Sequence, residues 1–255
     1  MNFLQLLLNL PVKLTPAIFA YSMLYPYTDN YIDDPGISAS AKANFNQRFR
    51  QRLAGEPVQP ANKHEETICA LVAMIEKQFE RSRYPQVYGS LLAIHDAQTK
   101  SLRLMKKDVS PYEADVLEIT FEKGGTSVLA DGYLVAGSVT PQQAEFMFGY
   151  GAFTQLMDDL EDVQIDAEAG LMTVFSQTGR AWRLDGVTNR ALDFGHRVFQ
   201  SIHCFSAPDL QPLKDLLLDC IDPLMVDTAG RAKQYYSKEY LREIEKHLPF
   251  RFAPL

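Results

Sequence analysis

Gln155-Leu-Met-Asp158-Asp159-Leu-Glu161-Asp162-Val-Gln-Ile-Asp166 is the stretch whose reading decides the fold. Six acids, Asp158, Asp159, Glu161, Asp162, Asp166 and Glu168, fall within eleven residues, with no Lys or Arg among them. The run before it, Ala144 to Met157, is almost wholly apolar or small. An α-helix turns by about 100° per residue, so Asp158, Asp162 and Asp166 share one stripe. A helix this apolar on its approach is expected to be buried and to carry its acids toward the interior. Crowded carboxylates repel one another, and burying them unpaired is costly, so they need protons or cations. With oxygen donors only, and no His or Cys nearby, the expected cation is Mg²⁺, which takes a few carboxylates together with phosphate oxygens. A solvated acidic helix face is the simpler alternative. The apolar approach and a second acidic site weigh against it.

That second site lies near the start of the chain. Thr15-Pro16 opens a helix, with Pro at an early position where its missing N–H costs nothing. The helix runs through an apolar, Tyr-rich stretch to Asp29-Asn-Tyr-Ile-Asp33-Asp34 and breaks at Pro35-Gly36. Asp29 and Asp33 are four residues apart and share a face. Both acidic groups end an apolar helix, where the macrodipole opposes negative charge. A bound cation accounts for acids held there.

The remaining segments also read at helical period, with Pro and Gly as punctuation and no strand-like alternation of any length. Helices are expected over 38–53, 65–83 and 87–107. Ser110-Pro111-Tyr-Glu113 and Thr140-Pro141-Gln-Gln143 read as capping boxes. The second opens a long helix expected to reach Asp166. Gly124-Gly125-Thr126-Ser127 predicts a kink or break, because each mid-helix glycine weakens a helix by ~1 kcal/mol. A break would free backbone N–H groups for an anion, with Lys123 beside them. Segments 184–205 and 213–247 supply the last helices, with Arg231-Ala-Lys233-Gln-Tyr-Tyr near the end. His95, alone, is read as a packed residue rather than a ligand.

At 255 residues with 46% hydrophobic residues, the chain suits one all-α domain over 1–255 with a sizeable core. Two long antiparallel helices with acids near one end are expected to face them across a central cavity, as bundle metal sites do. The net charge of -7 argues against nucleic acid. Three scattered cysteines, Cys69, Cys204 and Cys220, fit free thiols and a cytoplasmic setting. The apolar start is too short to span a bilayer and lacks signal-peptide features, so a first helix ending near Pro11 is expected, with weak membrane-surface contact as the alternative.

Two acidic motifs about 130 residues apart on helices resemble the class I isoprenoid synthase superfamily. Asp29-Asn-Tyr-Ile-Asp33-Asp34 resembles the first motif in its squalene and phytoene synthase form, and Leu-Pro-Val-Lys-Leu-Thr-Pro-Ala-Ile-Phe-Ala-Tyr resembles the segment before it. Asp158, Asp162 and Asp166 resemble the spacing of the terpene cyclase metal motif. The run from Asp158 through Gly170 to Phe175, with Gly124-Gly125-Thr126-Ser127, is similar to bacterial large-terpene synthases of the tetraprenyl-curcumene type. The likeness spans roughly Leu10 to Phe175. Tyr27 stands where the family carries an arginine, and no basic cluster like that of chain-elongating synthases is present.

The resemblance implies an α-helical isoprenoid-synthase bundle with Mg²⁺, three ions, as cofactor and a prenyl diphosphate as substrate. Asp29, Asp33, Asp158, Asp159, Asp162 and Asp166 would hold the metal, with Asp34 less central. Lys123, Arg231 and Lys233 would bind the diphosphate. Tyr21, Tyr25, Phe148, Phe153 and Gln155 would line the pocket for the allylic cation. Core packing is the competing role for each aromatic. The cation would cyclise, lose a proton or meet water, as in a terpene synthase. The alternatives are head-to-head condensation, with a homodimer compatible with either activity, and a non-catalytic helical binding protein. A di-iron carboxylate bundle would need Glu-x-x-His pairs, which the sequence lacks.

Overall fold

The structure, a computed structural model, describes residues 1–105 and 113–248. The described residues form helices and turns, with no strand. The helices are α1 (Asn2–Leu7), α2 (Pro16–Asp33), α3 (Ala39–Ala54), α4 (Lys63–Gln78), α5 (Pro85–Ser101), α6 (Val116–Ala136), α7 (Pro141–Glu161), α8 (Val163–Ala169), α9 (Val174–Gly179), α10 (Asp185–Gln200), α11 (Gln211–Arg231) and α12 (Lys238–Ile244). The all-α class expected from periodicity is therefore the class observed. No helix among the described residues is long and apolar enough to cross a membrane.

The chain divides into two compact units, one of residues 1–96 and 130–139, the other of 97–129 and 140–255. In the first unit the helical period sets the core directly. Ala17, Ala20, Tyr21 and Leu24 of α2 recur at i, i+3, i+4, i+7, as do Ile68, Leu71, Val72 and Ile75 of α4. These stripes bury against one another together with Phe45, Phe49 and Leu53 of α3, Val87, Tyr88, Leu91 and Ile94 of α5, and Ala130 and Leu134 of α6. Thr15 caps α2 by accepting from the Ile18 N–H, with Pro16 at the first helical position as expected. Arg48 pairs with Glu65, and Arg52 and Arg81 both pair with Glu76, which ties α3 to α4. His95 is buried edge-on against Phe49, at 5.1 Å between ring centroids, a packed residue as read.

The second unit is built on α7, which packs against α10 and α11. Thr140 and Gln143 form the capping box read from the sequence. Ser110, Pro111 and Tyr112, read as part of the first box, lie outside the described residues.

Two expectations are corrected. The Gly124-Gly125 pair does not break its helix, because α6 runs unbroken from Val116 to Ala136. A Cβ added at Gly124 would meet the Gly151 carbonyl oxygen of α7 at 2.2 Å, and one at Gly125 would meet the Phe148 ring at 2.6 Å. The glycines let two backbones approach where any side chain would hold them apart, and that packing offsets their low helix propensity. The long helix also stops short of Asp166. It ends at Glu161, and α8 begins at Val163. The Asp162 N–H bonds the Asp158 carbonyl at 2.9 Å and the Asp166 N–H the Asp162 carbonyl at 2.8 Å, so helical bonding carries across the joint.

Candidate functional site

The contacts Thr120–Asp159, Gly124–Gly151 and Gly125–Phe148 run in opposite order along α6 and α7, so these helices are antiparallel where they meet. The first turns of α6 therefore lie beside the acidic end of α7. The close glycine crossing sets that distance.

The acids divide into two kinds. Asp159 and Asp166 are buried, 7% and 8% exposed, whereas Asp158 and Asp162 are exposed. The expected stripe of three interior acids is thus corrected: the buried pair is Asp159 and Asp166. The helix joint at Asp162 lies between them. Asp159 accepts from Gln155 Nε2 at 2.9 Å and from Thr120 Oγ1 at 3.3 Å. Burial pushes it up to about 6, against the pull of Gln155, Lys123 and Thr120. Asp166 is also pushed up to about 6, first by burial and then by Asp159 and Asp162, while Lys123 and a hydrogen bond from Thr173 pull it down. Asp158 is raised by partial desolvation, then by Asp162 and Glu161, and lowered by Lys123. One half-buried lysine thus acts on three of the four acids. Lys123 has this place because α6 continues through the glycines.

Gln155 lies in the site as the orienting donor for Asp159. Arg231 is beside it: its guanidinium, 66% exposed, pairs with Glu161 at 3.4 Å and Asp227 at 2.7 Å. Lys233 follows in the next turn, half-buried. Phe148 faces Gly125 of α6, while Phe153 is 2% exposed in the core against Gly195 and Phe199.

The first motif belongs to the other unit. Asp29 is exposed near the end of α2, and Asp33 is its last residue. Asp34 Oδ1 accepts from the Gly36 N–H at 2.7 Å, so its carboxylate closes the turn. Tyr21 is buried, and its hydroxyl donates to that of Tyr25 at 3.2 Å, with the rings edge to face. The Tyr25 phenol is strongly raised by burial, with Asp131 and Asp29 adding to the shift.

Three contributors escaped the sequence reading. Asp131, pushed up to about 6 by burial, stands near Tyr25. A lone acid within Val128-Leu-Ala-Asp131-Gly-Tyr-Leu-Val was a signal for it. Thr120 carries no pattern of its own. Thr173 forms a capping box with Ser176, legible only to a template that admits Ser at the fourth position.

Carboxylates held near 6 by burial and mutual repulsion are relieved by a hard cation, so the donor chemistry of Asp159 and Asp166 fits Mg²⁺. Among the described residues no group of three or more His, Cys, Asp or Glu is arranged to hold a metal ion. A pair of carboxylates is a donor set that Mg²⁺ accepts where phosphate oxygens and water complete its shell. Comparison with models of protein families, with curated proteins and with solved structures finds no match.

Proposed function

We propose that this chain is a Mg²⁺-dependent isoprenoid synthase of class I that ionises an allylic prenyl diphosphate. The observation that carries this reading is the α7–α8 site, where two buried carboxylates near pKa 6 share one lysine. A surface acidic face would titrate in the ordinary carboxylate range. Bound Mg²⁺ would supply neutralisation of the charge that develops on the departing diphosphate.

The chain's own groups have separable parts in this reading. Asp159 and Asp166 hold the cation, and Asp158 and Asp162 extend the ligand set from the exposed side. Gln155 and Thr120 orient Asp159, and Thr173 orients Asp166. Lys123 offers a second positive charge to the diphosphate. Arg231 joins it by exchanging two exposed ion pairs, which are worth at most ~1 kcal/mol each, for phosphate oxygens. On α2, the family resemblance assigns Asp29 and Asp33 to the other acidic motif and Tyr21 and Tyr25 to the aromatic residues before it.

The test is incubation with Mg²⁺ and each prenyl diphosphate from geranyl to geranylfarnesyl, with wild type beside Asp29→Ala, Asp162→Ala and Asp166→Asn. Pyrophosphate release by wild type, lost in all three folded variants, is the expected result. A product with doubled carbon count would instead assign head-to-head condensation. Full turnover in any variant would overturn the metal assignment.

A further inference from the structure

Trp182 is the single tryptophan of the chain, and its side chain is 76% exposed. A ring of this size is mostly covered in folded proteins. It sits in the turn between α9 and α10, where its backbone N–H bonds the Thr178 carbonyl at 2.9 Å. Arg180 and Arg183 flank it, and they are the only charged side chains between Glu168 and Asp185. Arg183 donates to the Gln234 carbonyl at 2.9 Å, and neither arginine has a carboxylate partner among the described residues. Six of the twelve described arginines, Arg48, Arg50, Arg52, Arg81, Arg197 and Arg231, are ion-paired, so what sets Arg180 and Arg183 apart is their place on either side of an exposed indole. The nearest following acid, Asp185, is committed to the Ser237 N–H at 3.0 Å and hydroxyl at 2.6 Å.

The turn has an apolar neighbour. Gln234 holds Arg183 through its carbonyl and Gln164 through its side chain at 3.3 Å, so the residues next to Trp182 and next to Ile165 meet the same glutamine. Ile165 is 65% exposed. An exposed indole flanked by two exposed guanidinium groups with no carboxylate partner among the described residues matches the chemistry of the anionic membrane interface. There indole rings settle at headgroup depth and basic side chains meet lipid phosphates.

We propose that the Arg180–Arg183 turn is a shallow membrane-surface contact, with Trp182 in the headgroup layer and the two arginines on anionic headgroups. The charge selects anionic lipid over a zwitterionic surface. This inference is independent of the catalytic reading.

The full chain reports on itself, because Trp182 is its only indole. Its emission is followed against vesicles of phosphatidylcholine alone and of equal parts phosphatidylcholine and phosphatidylglycerol, without metal or diphosphate. A blue shift and co-sedimentation with the anionic vesicles only are expected. Each arginine contributes about fivefold to partitioning, so Arg180→Gln with Arg183→Gln weakens it about 25-fold. Trp182→Ala lowers co-sedimentation. Both variants should keep the wild-type melting curve, because the changed side chains are exposed. No shift with anionic vesicles, or an unchanged partition coefficient in the double arginine variant, overturns the proposal. So does a shift that grows with protein concentration in the absence of lipid, which would assign the turn to a second copy of the chain.

Discussion

Asp159→Asn isolates the electrostatic tension at the acidic site. The side chain is 7% exposed, and its carboxyl is raised from 3.8 to about 6. A folded-state pKa above the unfolded one means that the native state binds the proton more tightly, so stability falls as pH rises between the two values. Fully ionised, the residue costs the fold about 3 kcal/mol, at 1.36 kcal/mol per pH unit. By linkage about 1 kcal/mol of this is already incurred near pH 4.5, because the unfolded carboxyl is largely ionised there, and about 2 kcal/mol more appears by about pH 7.5. Asparagine keeps one acceptor, for Gln155, turns its NH2 to the Thr120 hydroxyl, which can accept, and does not titrate. The unfolding free energy of the variant relative to wild type should therefore rise by about 2 kcal/mol from about pH 4.5 to about pH 7.5. Comparing two pH values cancels any constant cost of fitting the amide. Urea denaturation followed by circular dichroism, in chelator and at both pH values, gives the number. Parallel pH dependences for the two proteins would mean that Asp159 titrates as a surface acid, and the case for a cation there would fail. Mg²⁺ with pyrophosphate should reverse the wild-type trend, since the site binds cation only once deprotonated.

Gly124→Ala should lower stability by about 3 kcal/mol or more and the melting temperature by about 6 °C or more, because its Cβ would fall 2.2 Å from the Gly151 carbonyl oxygen; a neutral result would contradict the close crossing of α6 and α7. Phe153→Ala should cost about 3–5 kcal/mol in chemical denaturation as a core truncation, and a stable variant with altered products would return that ring to a substrate pocket. Lys123→Met should reduce the stabilisation by Mg²⁺ with pyrophosphate by about 1.5–3 kcal/mol, the worth of a charged hydrogen bond. An unchanged thermal shift would remove Lys123 from the diphosphate. Arg231→Ala should leave stability within about 1 kcal/mol, since both its ion pairs are exposed, and raise KM for the diphosphate; an unchanged KM would leave Arg231 a surface residue.

The helical class and most element positions were legible in the sequence, because apolar residues at 3.6 spacing, N-terminal Thr-Pro pairs and breaking Pro-Gly pairs act within one turn of the chain. The stripes of α2 and α4 and the capping box at Thr140 are of this local kind. The acidic run at 158–168 also announced itself, as six acids with no Lys or Arg among them. What tertiary structure decided was the environment of each residue. Gly124-Gly125 looks the same as a helix breaker and as a contact surface, and only the backbone of α7 at Gly151 makes it the latter. Equal spacing made Asp158, Asp162 and Asp166 equivalent, yet a joint at Asp162 and the placement of α6 and Thr173 left Asp159 and Asp166 as the desolvated pair. Desolvation sums over everything nearby in space, and Thr120 of α6 reaches Asp159 from 39 positions away. A carboxylate's charge state is therefore a property of the folded neighbourhood, while its tendency to stand on a helix belongs to the few residues on either side.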